Sequence, residues 1–321
     1  MHKISVVIPL WNKEPHIKNT LESVINQTYN DIEILVIDDG STDKGVDVVR
    51  TINDPRIKLI MQKNQGTSAA RNRGISEARS DLIAFLDADD EWMPTFLETV
   101  MRLYNRYPQA GAFATAYKVK MPDSHFEKAK YKHLPKSPWE GILTNYFHAA
   151  LGSNPVILTS AVMVKKVVFE KVGGFSVGEL IEDLDMWARI AFKYPIAWTS
   201  RLEVVYKRDV VNSSLKTLKL SKDLKVIDTL KEGLSQSSSD IKKDILNLIG
   251  KYYKFCSLHY AKNGDRKNAI RCIKESIRYS RGHLVLKPIV LRIILSFPYQ
   301  VWKTMEYVCS LFNPKTAVTF K

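Results

Sequence analysis

Four short runs in the first 90 residues, ISVVIPL, IEILVID, IKLIM and LIAFLD, are hydrophobic almost without interruption and rich in β-branched side chains. A strand with one wet face alternates apolar and polar positions, so unbroken runs predict strands covered on both faces, as in a parallel sheet. Between the runs the spacing changes to that of a helix. Ile17, Leu21, Val24 and Ile25 share one face of 14–27, and 43–52 and 67–78 also read as helices. Strand alternating with helix predicts a doubly wound α/β sheet. Ligands bind such sheets beyond the carboxyl ends of the strands, which singles out Asn12, the DDGSTD of 38–43 and the DADD of 87–90.

The pattern continues with a helix over 94–107, opened by Pro94 at a favoured first-turn position. Residues 118–155 lose periodicity and contain Pro122, Pro135, Pro138 and Pro155, which predicts a long, mobile loop beside the site. A strand VILTSAVMVKK follows, then the glycine turn VGGF at 172–175, then a helix whose Leu184, Trp187, Ala188 and Ala191 form an apolar stripe. Beyond about residue 215 only helical patterns remain, with SQSSSD at 235–240 as a linker or cap and a helical hairpin over 247–280 turned by KNGD. The expected division is therefore a catalytic domain at 1–214 and an all-helical extension at 215–321.

Charge sharpens this division. The net charge is +14, yet residues 1–200 hold 24 Lys and Arg against 24 Asp and Glu, whereas 201–321 hold 24 against 10. A basic end of this kind suits a polyanion, either nucleic acid or an anionic membrane surface. No zinc spacing, helix-turn-helix or RNA-recognition signature accompanies it, which argues against nucleic acid. The stretch 284–312 is the most apolar of the chain, but Lys287, Pro288, Arg292, Pro298 and Lys303 make it a poor membrane span. Phe297, Tyr299, Trp302 and Tyr307 beside those charges suit the surface of an anionic bilayer, the alternative being a buried helical pair. Cys256, Cys272 and Cys309 lack metal-ligand spacing and read as reduced core residues. The apolar run at the N-terminus is too short for a signal peptide, so a cytoplasmic protein, at most peripheral on the membrane, is expected.

The acids carry the candidate chemistry. Asp38 and Asp39 can accept hydrogen bonds from a base or a sugar, with Gly40 turning the backbone and Ser41 or Thr42 capping the next helix. Asp87, Asp89 and Asp90 repel one another at a strand end unless a cation sits among them, and hard oxygen ligands at this density suit Mg²⁺ or Mn²⁺ held together with a diphosphate. In KNQGTSAARNRG a helix N-terminus can face an anion, with Arg71 one turn later; Arg73 reads as an exposed helix residue. In IEDLDMWAR, Glu182 and Asp185 read as caps or salt-bridge partners and Asp183 as the sharper candidate for a base.

In order and spacing, SVVIPLWN, VIDDGSTD, NQGTSAARNRG, FLDADDEWMP, VGGF and IEDLDMWAR resemble the motifs of the family 2 glycosyltransferases, inverting enzymes of bacterial polysaccharide and glycolipid synthesis with a GT-A fold. The resemblance covers residues 3 to about 208. It implies a GT-A nucleotide-sugar-binding sheet, a nucleotide-sugar donor such as a UDP-sugar, a glycan or lipid-linked acceptor, and a divalent cation, Mn²⁺ or Mg²⁺. Residue by residue, it places Pro9, Asp39, Asp87 and Arg71 on the donor, with Asp39 at the nucleobase. It makes Asp89 the metal ligand with Asp90 assisting, and Asp183 the catalytic base. The chain departs from the family at VYKRDVVNSS, where Asp209 stands in place of a histidine that can join the metal site. Two other nucleotide-using classes fit less well. A nucleotidyltransferase should show a glycine- and lysine-rich phosphate loop, and IPLWNKEP has no glycine; a NAD-dependent enzyme should show G-x-G-x-x-G after the first strand, which is absent.

Overall fold

The computed structural model describes residues 4–207, 220, 223–282 and 288–289. They fall into two units, one of residues 1–130, 134–146 and 155–213, the other of 131–133, 147–154 and 214–321. Asp209, Cys309 and nearly all of the 284–312 stretch lie outside the described residues.

The first unit is built on a ten-stranded sheet. Its N-terminal half follows the predicted alternation: β1 (Ile4–Leu10), α1 (Glu14–Ile25), β2 (Ile32–Asp38), α2 (Gly45–Thr51), β3 (Ile57–Met61), α3 (Thr67–Glu77) and β4 (Leu82–Phe85). These strands lie side by side in the order β3-β2-β1-β4, all parallel. Every residue of β1, β2 and β4 is buried, as the unbroken apolar runs require. Pro9 lies in β1 opposite Ile37 of β2, past the point at Val7 where pairing with β4 ends, so its missing N–H costs no bond on that side. Helix α3 lies flush on β1, because a methyl group at Gly74 would run into the Val7 side chain.

The remaining strands are β5 (Glu91–Trp92), β6 (Ala112–Lys120), β7 (Phe126–Lys128), β8 (Glu140–Ile142), β9 (Val162–Lys165) and β10 (Ile196–Lys207). They change the sheet from parallel to mixed. β9 inserts antiparallel between β4 and β6, β6 pairs parallel with β10, and β5 and β8 pair antiparallel with β10. The expected loop at 118–155 remains mostly turn and irregular chain, but short elements interrupt it: β6 runs to Lys120, β7 folds back on it and β8 joins β10, followed by α5 (Tyr146–Ala150). Cross-strand pairing satisfies backbone groups there without any long-range apolar period, and periodicity cannot register it. Helix α4 (Phe96–Arg106) starts after Thr95, so Pro94 precedes the helix instead of opening it. The run VILTSAVMVKK is split by a 3-10 turn, Thr159–Ala161, before β9. Helices α6 (Lys166–Val172) and α7 (Glu182–Lys193) complete this unit.

The second unit is helical, with α8 (Lys225–Gly233), α9 (Ser239–Lys262) and α10 (Arg266–Tyr279). Helices α9 and α10 form the expected hairpin. Asp265 caps α10 by accepting from the Asn268 amide at 3.0 Å, and buried Ser257 and Ser276 donate to Ala269 O and Gly250 O across the pair. Cys256 and Cys272 are buried between them as free thiols. The segment 147–154 belongs here because Lys251 Nζ donates to Ala150 O and Gly152 O at 2.8 and 2.7 Å, while His148 Nδ1 lies 2.9 Å from Asp244. No described helix is long and apolar enough to cross a membrane.

Candidate active site

The carboxyl ends of β1, β2 and β4 come together as the parallel half of the sheet dictates. At the end of β1, Asn12 adopts a left-handed backbone (φ 51°), and its side-chain oxygen accepts from the Thr42 amide at 2.7 Å. Asp38, fully buried, accepts from the amides of Gly40 and Ser41 and so closes the turn after β2. Gly40 is needed at that turn: its φ is +73°, and a side chain would press on the Asn64 amide. Asp39 is 2% exposed and faces the loop that leads into α3. It accepts from Gln62 Nε2, Gln65 N and Gly66 N at 2.7–2.9 Å, which leaves one of its lone-pair directions for a base.

The three aspartates after β4 have three different fates. Asp87 points toward α3, where its Oδ1 accepts from Arg71 Nη2 at 2.7 Å. Asp89 meets the Lys13 ammonium at 2.8 Å. Asp90 is fully buried, with one oxygen accepting from Ser160 Oγ at 2.6 Å and the other from the Lys207 amide at 3.0 Å. Burial, and after it the charges of Asp89 and Asp87, hold its carboxyl well above the ordinary range. The turn folds Asp90, expected from the sequence to assist at the metal, inward, and each of its oxygens accepts one hydrogen bond within the protein. Ser160 also receives the Asp87 amide at 3.1 Å, and Thr20 Oγ1 donates to the carbonyls of Ala88 and Asp90, so the acidic turn is held from both sides.

Arg71 joins this turn to α7. It is 4% exposed and bonds Glu182 Oε1 through Nη1 at 2.8 Å as well as Asp87 through Nη2. The sequence reading placed Arg71 on the donor; here its Nη1 and Nη2 are each bound to a carboxylate, and its buried Nε has no hydrogen-bond partner. Its guanidinium lies 5.4 Å from the centre of the Phe175 ring, which also packs edge-on against Phe85 at the end of β4 and Trp187 of α7. Asn72 fixes that ring's backbone, donating to Phe175 O and accepting from Phe175 N at 2.8 and 2.7 Å. The last residue of VGGF is thus the hub on which the three elements carrying Asp87, Arg71 and Asp183 converge. As read from the sequence, Glu182 and Asp185 are salt-bridge partners, the latter of Arg189, and Arg73 is an exposed residue paired with Glu77.

Asp183 is half-buried in the first turn of α7, with Oδ1 accepting from the Leu184 amide at 2.9 Å. Burial first, and the neighbouring Glu182 charge second, push its carboxyl up to about 7 from the ordinary 3.8, with Arg71 opposing them. The residue before this acidic pair, Ile181, is 8% exposed and sits in the left-handed region at φ 53°, ψ 41°, which a β-branched side chain rarely adopts. That kink turns the chain so that Glu182 and Asp183 both start α7 facing Arg71. At an ordinary helix position alanine outlasts glycine; at 181 the order should reverse, Ile181→Gly being more stable than Ile181→Ala by about 1 kcal/mol in urea unfolding. The usual order would show that the left-handed conformation is not enforced.

Sequence reasoning missed Ser160, Lys13 and the ring of Phe175 as parts of this site. Lys13 follows Asn12 in WNKEP and was visible as a charge, but nothing in LTSAV marks Ser160.

A sheet ordered β3-β2-β1-β4 with a mixed second half, and acids gathered at its carboxyl edge, define a GT-A nucleotide-sugar-binding fold. The model of the glycosyl transferase family 2 matches residues 5–173, more than half of the chain. The chain belongs to that family. It is similar to the uncharacterized glycosyltransferase YibD of Escherichia coli (strain K12), with 45% identity over 104 residues, which is 32% of this chain and 30% of YibD. It is also similar to the GalNAc(5)-diNAcBac-PP-undecaprenol beta-1,3-glucosyltransferase of Campylobacter jejuni, with 36% identity over 109 residues, or 33% of this chain and 35% of that protein. The chain spans about a third of the length of these curated relatives. Among solved structures, S. aureus TarS 1-349 in complex with UDP-GlcNAc superposes with a TM-score of 0.68 at 14% identity, covering 95% of this chain and 91% of that one, which supports the fold.

Proposed function

We propose that this chain is an inverting glycosyltransferase that moves a sugar from a nucleoside-diphosphate donor to an acceptor hydroxyl. The observation that carries the reading is the convergence of Asp87, Arg71, Glu182 and Asp183 beyond the strand ends, with one carboxyl, that of Asp183, tuned to titrate near neutrality. A carboxylate ionising near 7 is matched to taking a proton from a hydroxyl at physiological pH. Asp183 accepts that proton as the hydroxyl attacks the anomeric carbon, and a single displacement inverts the configuration. A double displacement would need a second carboxylate free to act as nucleophile; Glu182 is bound to Arg71 and Asp185 to Arg189 and Ser176.

On the donor, Asp39 offers its remaining lone pair to the base imide, and Pro9 forms the floor at the end of β1. The complex of TarS with UDP-GlcNAc supports a uridine donor, and the undecaprenol-linked substrate named for the Campylobacter relative supports a lipid-linked or glycan acceptor. Screening nucleotide sugars for hydrolysis by the protein alone tests the reading without knowledge of the acceptor. Hydrolysis of none of them, and no binding of any nucleoside diphosphate, would remove it.

The residues present fit a divalent cation in a restricted way. No three His, Cys, Asp or Glu side chains converge on a metal-sized position among the described residues, so the protein's share is Asp89 with Asp87 beside it. Mg²⁺ and Mn²⁺ are held in this manner, by one or two carboxylates with substrate phosphates and water completing the sphere. When bound, such a cation offsets the charge that develops on the departing diphosphate. Asp89 would have to exchange the Lys13 ammonium for it. Titration calorimetry should therefore show that Mn²⁺ strengthens binding of UDP to the wild type, and that Asp89→Ala abolishes the gain without weakening metal-free binding. Equal affinities with and without metal in both proteins would count against a shared cation.

A further inference from the structure

The ribbon β6–β7 carries a charge pattern that catalysis leaves unused. In its antiparallel register Lys118 stands opposite Lys128, Val119 opposite Glu127, and Lys120 opposite Phe126. Directly opposed residues share a face, so Lys118, Lys120, Phe126 and Lys128 occupy one side of the ribbon, and Val119 and Glu127 the other. Val119 is turned inward at 7% exposed, whereas Phe126 is 52% exposed with the Lys118 ammonium 4.5 Å from its ring centre. Within the ribbon the lysine face carries no acid; across the sheet the same face continues through Val205 to Glu91, which is paired with Lys207. Glu127, on the opposite face, and Asp123 instead bond His125, raising its pKa chiefly through the Asp123 hydrogen bond. Among the described residues, Lys118, Lys120 and Lys128 form no ion pair.

Like charges placed directly opposite one another weaken a ladder, so the Lys118–Lys128 pair costs stability unless an anion meets it. A compact phosphate site would need donors converging on one point and would leave the exposed ring idle. A flat row of ammonium groups around an aromatic ring matches a bilayer instead, with the lysines among anionic headgroups and the ring at the acyl boundary. We propose that this face of the β6–β7 ribbon docks the chain on an anionic lipid surface. The proposal is independent of the reaction assigned above.

The test uses the full-length protein and sedimentation with vesicles of phosphatidylcholine, with and without phosphatidylglycerol. Wild type should bind only the anionic vesicles and release as salt rises. A lysine at such a surface is worth about fivefold in partition, so Lys120→Gln with Lys128→Gln should lower binding roughly thirtyfold. Phe126→Ser should lower it further at salt concentrations that screen the lysines. The Gln variants relieve the like-charge pair, so their melting temperature should equal or exceed that of wild type. Should they melt lower, Lys120→Arg with Lys128→Arg keeps the charge and should bind as wild type does. Three results would overturn the assignment: no binding of wild type to anionic vesicles at low salt, unchanged binding by the Gln variants, which would place the contact in the basic tail, or displacement by soluble polyphosphate with Phe126→Ser behaving as wild type.

Discussion

Asp183→Asn is expected to reduce sugar transfer by a factor of about 10²–10⁴ while donor binding persists, because the variant keeps the shape of the side chain and loses only its ability to take a proton. Two pH signatures separate this role from a structural one. In the wild type, the rate at low substrate should climb with pH across the region around 7, where the Asp183 carboxyl gives up its proton; the residual rate of the variant should not follow that climb. Stability should run the other way. The folded-state pKa lies above the ordinary 3.8, so the neutral form favours folding below about pH 4, and that contribution is lost as pH rises through 7. Asparagine is neutral at every pH. Asp183→Asn should therefore melt above the wild type at pH 8, with the gap closing toward pH 4. A variant keeping more than about a tenth of the wild-type rate would exclude Asp183 as the base.

Removing the cation beneath the acids should be the most damaging single change to stability. Arg71→Met leaves Asp87 and Glu182 without their buried counter-charge and brings Asp183 closer to both in effect. Breaking a buried pair from one side costs about 3–5 kcal/mol, far more than the pair contributes against an apolar replacement of both partners. Urea unfolding at pH 8 should show that loss. Arg71→Lys should recover little, since one ammonium cannot reach two carboxylates in the fixed fork of a guanidinium. A change below about 1 kcal/mol would mean that the acids are neutralised by something else.

The parallel half of the sheet could be read from the sequence because burial on both faces leaves an unbroken apolar run, and β1, β2 and β4 carry nothing else. Of the mixed half, the run VILTSAVMVKK that holds β9 was legible and the short strands were not. β5, β7 and β8 have two or three residues each, too few to show any period, and their pairing depends on where distant chain segments return. The site divides in the same way. Asp87, Asp89 and Asp183 stood out because carboxylates crowded at an element's end need a physical reason. Ser160 and Phe175 did not, since a lone hydroxyl and a lone ring acquire meaning only when Asp90 and Arg71 arrive from elsewhere. Asp90 is the complementary case. It shares the composition of its neighbours, and only the inward turn at the end of β4 separates a buried bracket from a ligand.

The position of β9 has a consequence for biogenesis. A ribosome delivers β1, β2 and β3 as neighbours joined by one helix each, and α3 then carries the chain back across the sheet so that β4 pairs with β1; contacts this close in sequence form quickly. β4 then waits. Its other edge is covered only by Val162–Lys165, and the bulk of a second sheet half must be synthesised before that segment emerges. During this interval the nascent chain presents LIAF as an apolar strand with an open edge, the sort of surface on which unfinished chains aggregate. Charges flank it on both sides, Asp81 before and Asp87 after, and both therefore guard the growing polypeptide before either has a place in the finished protein.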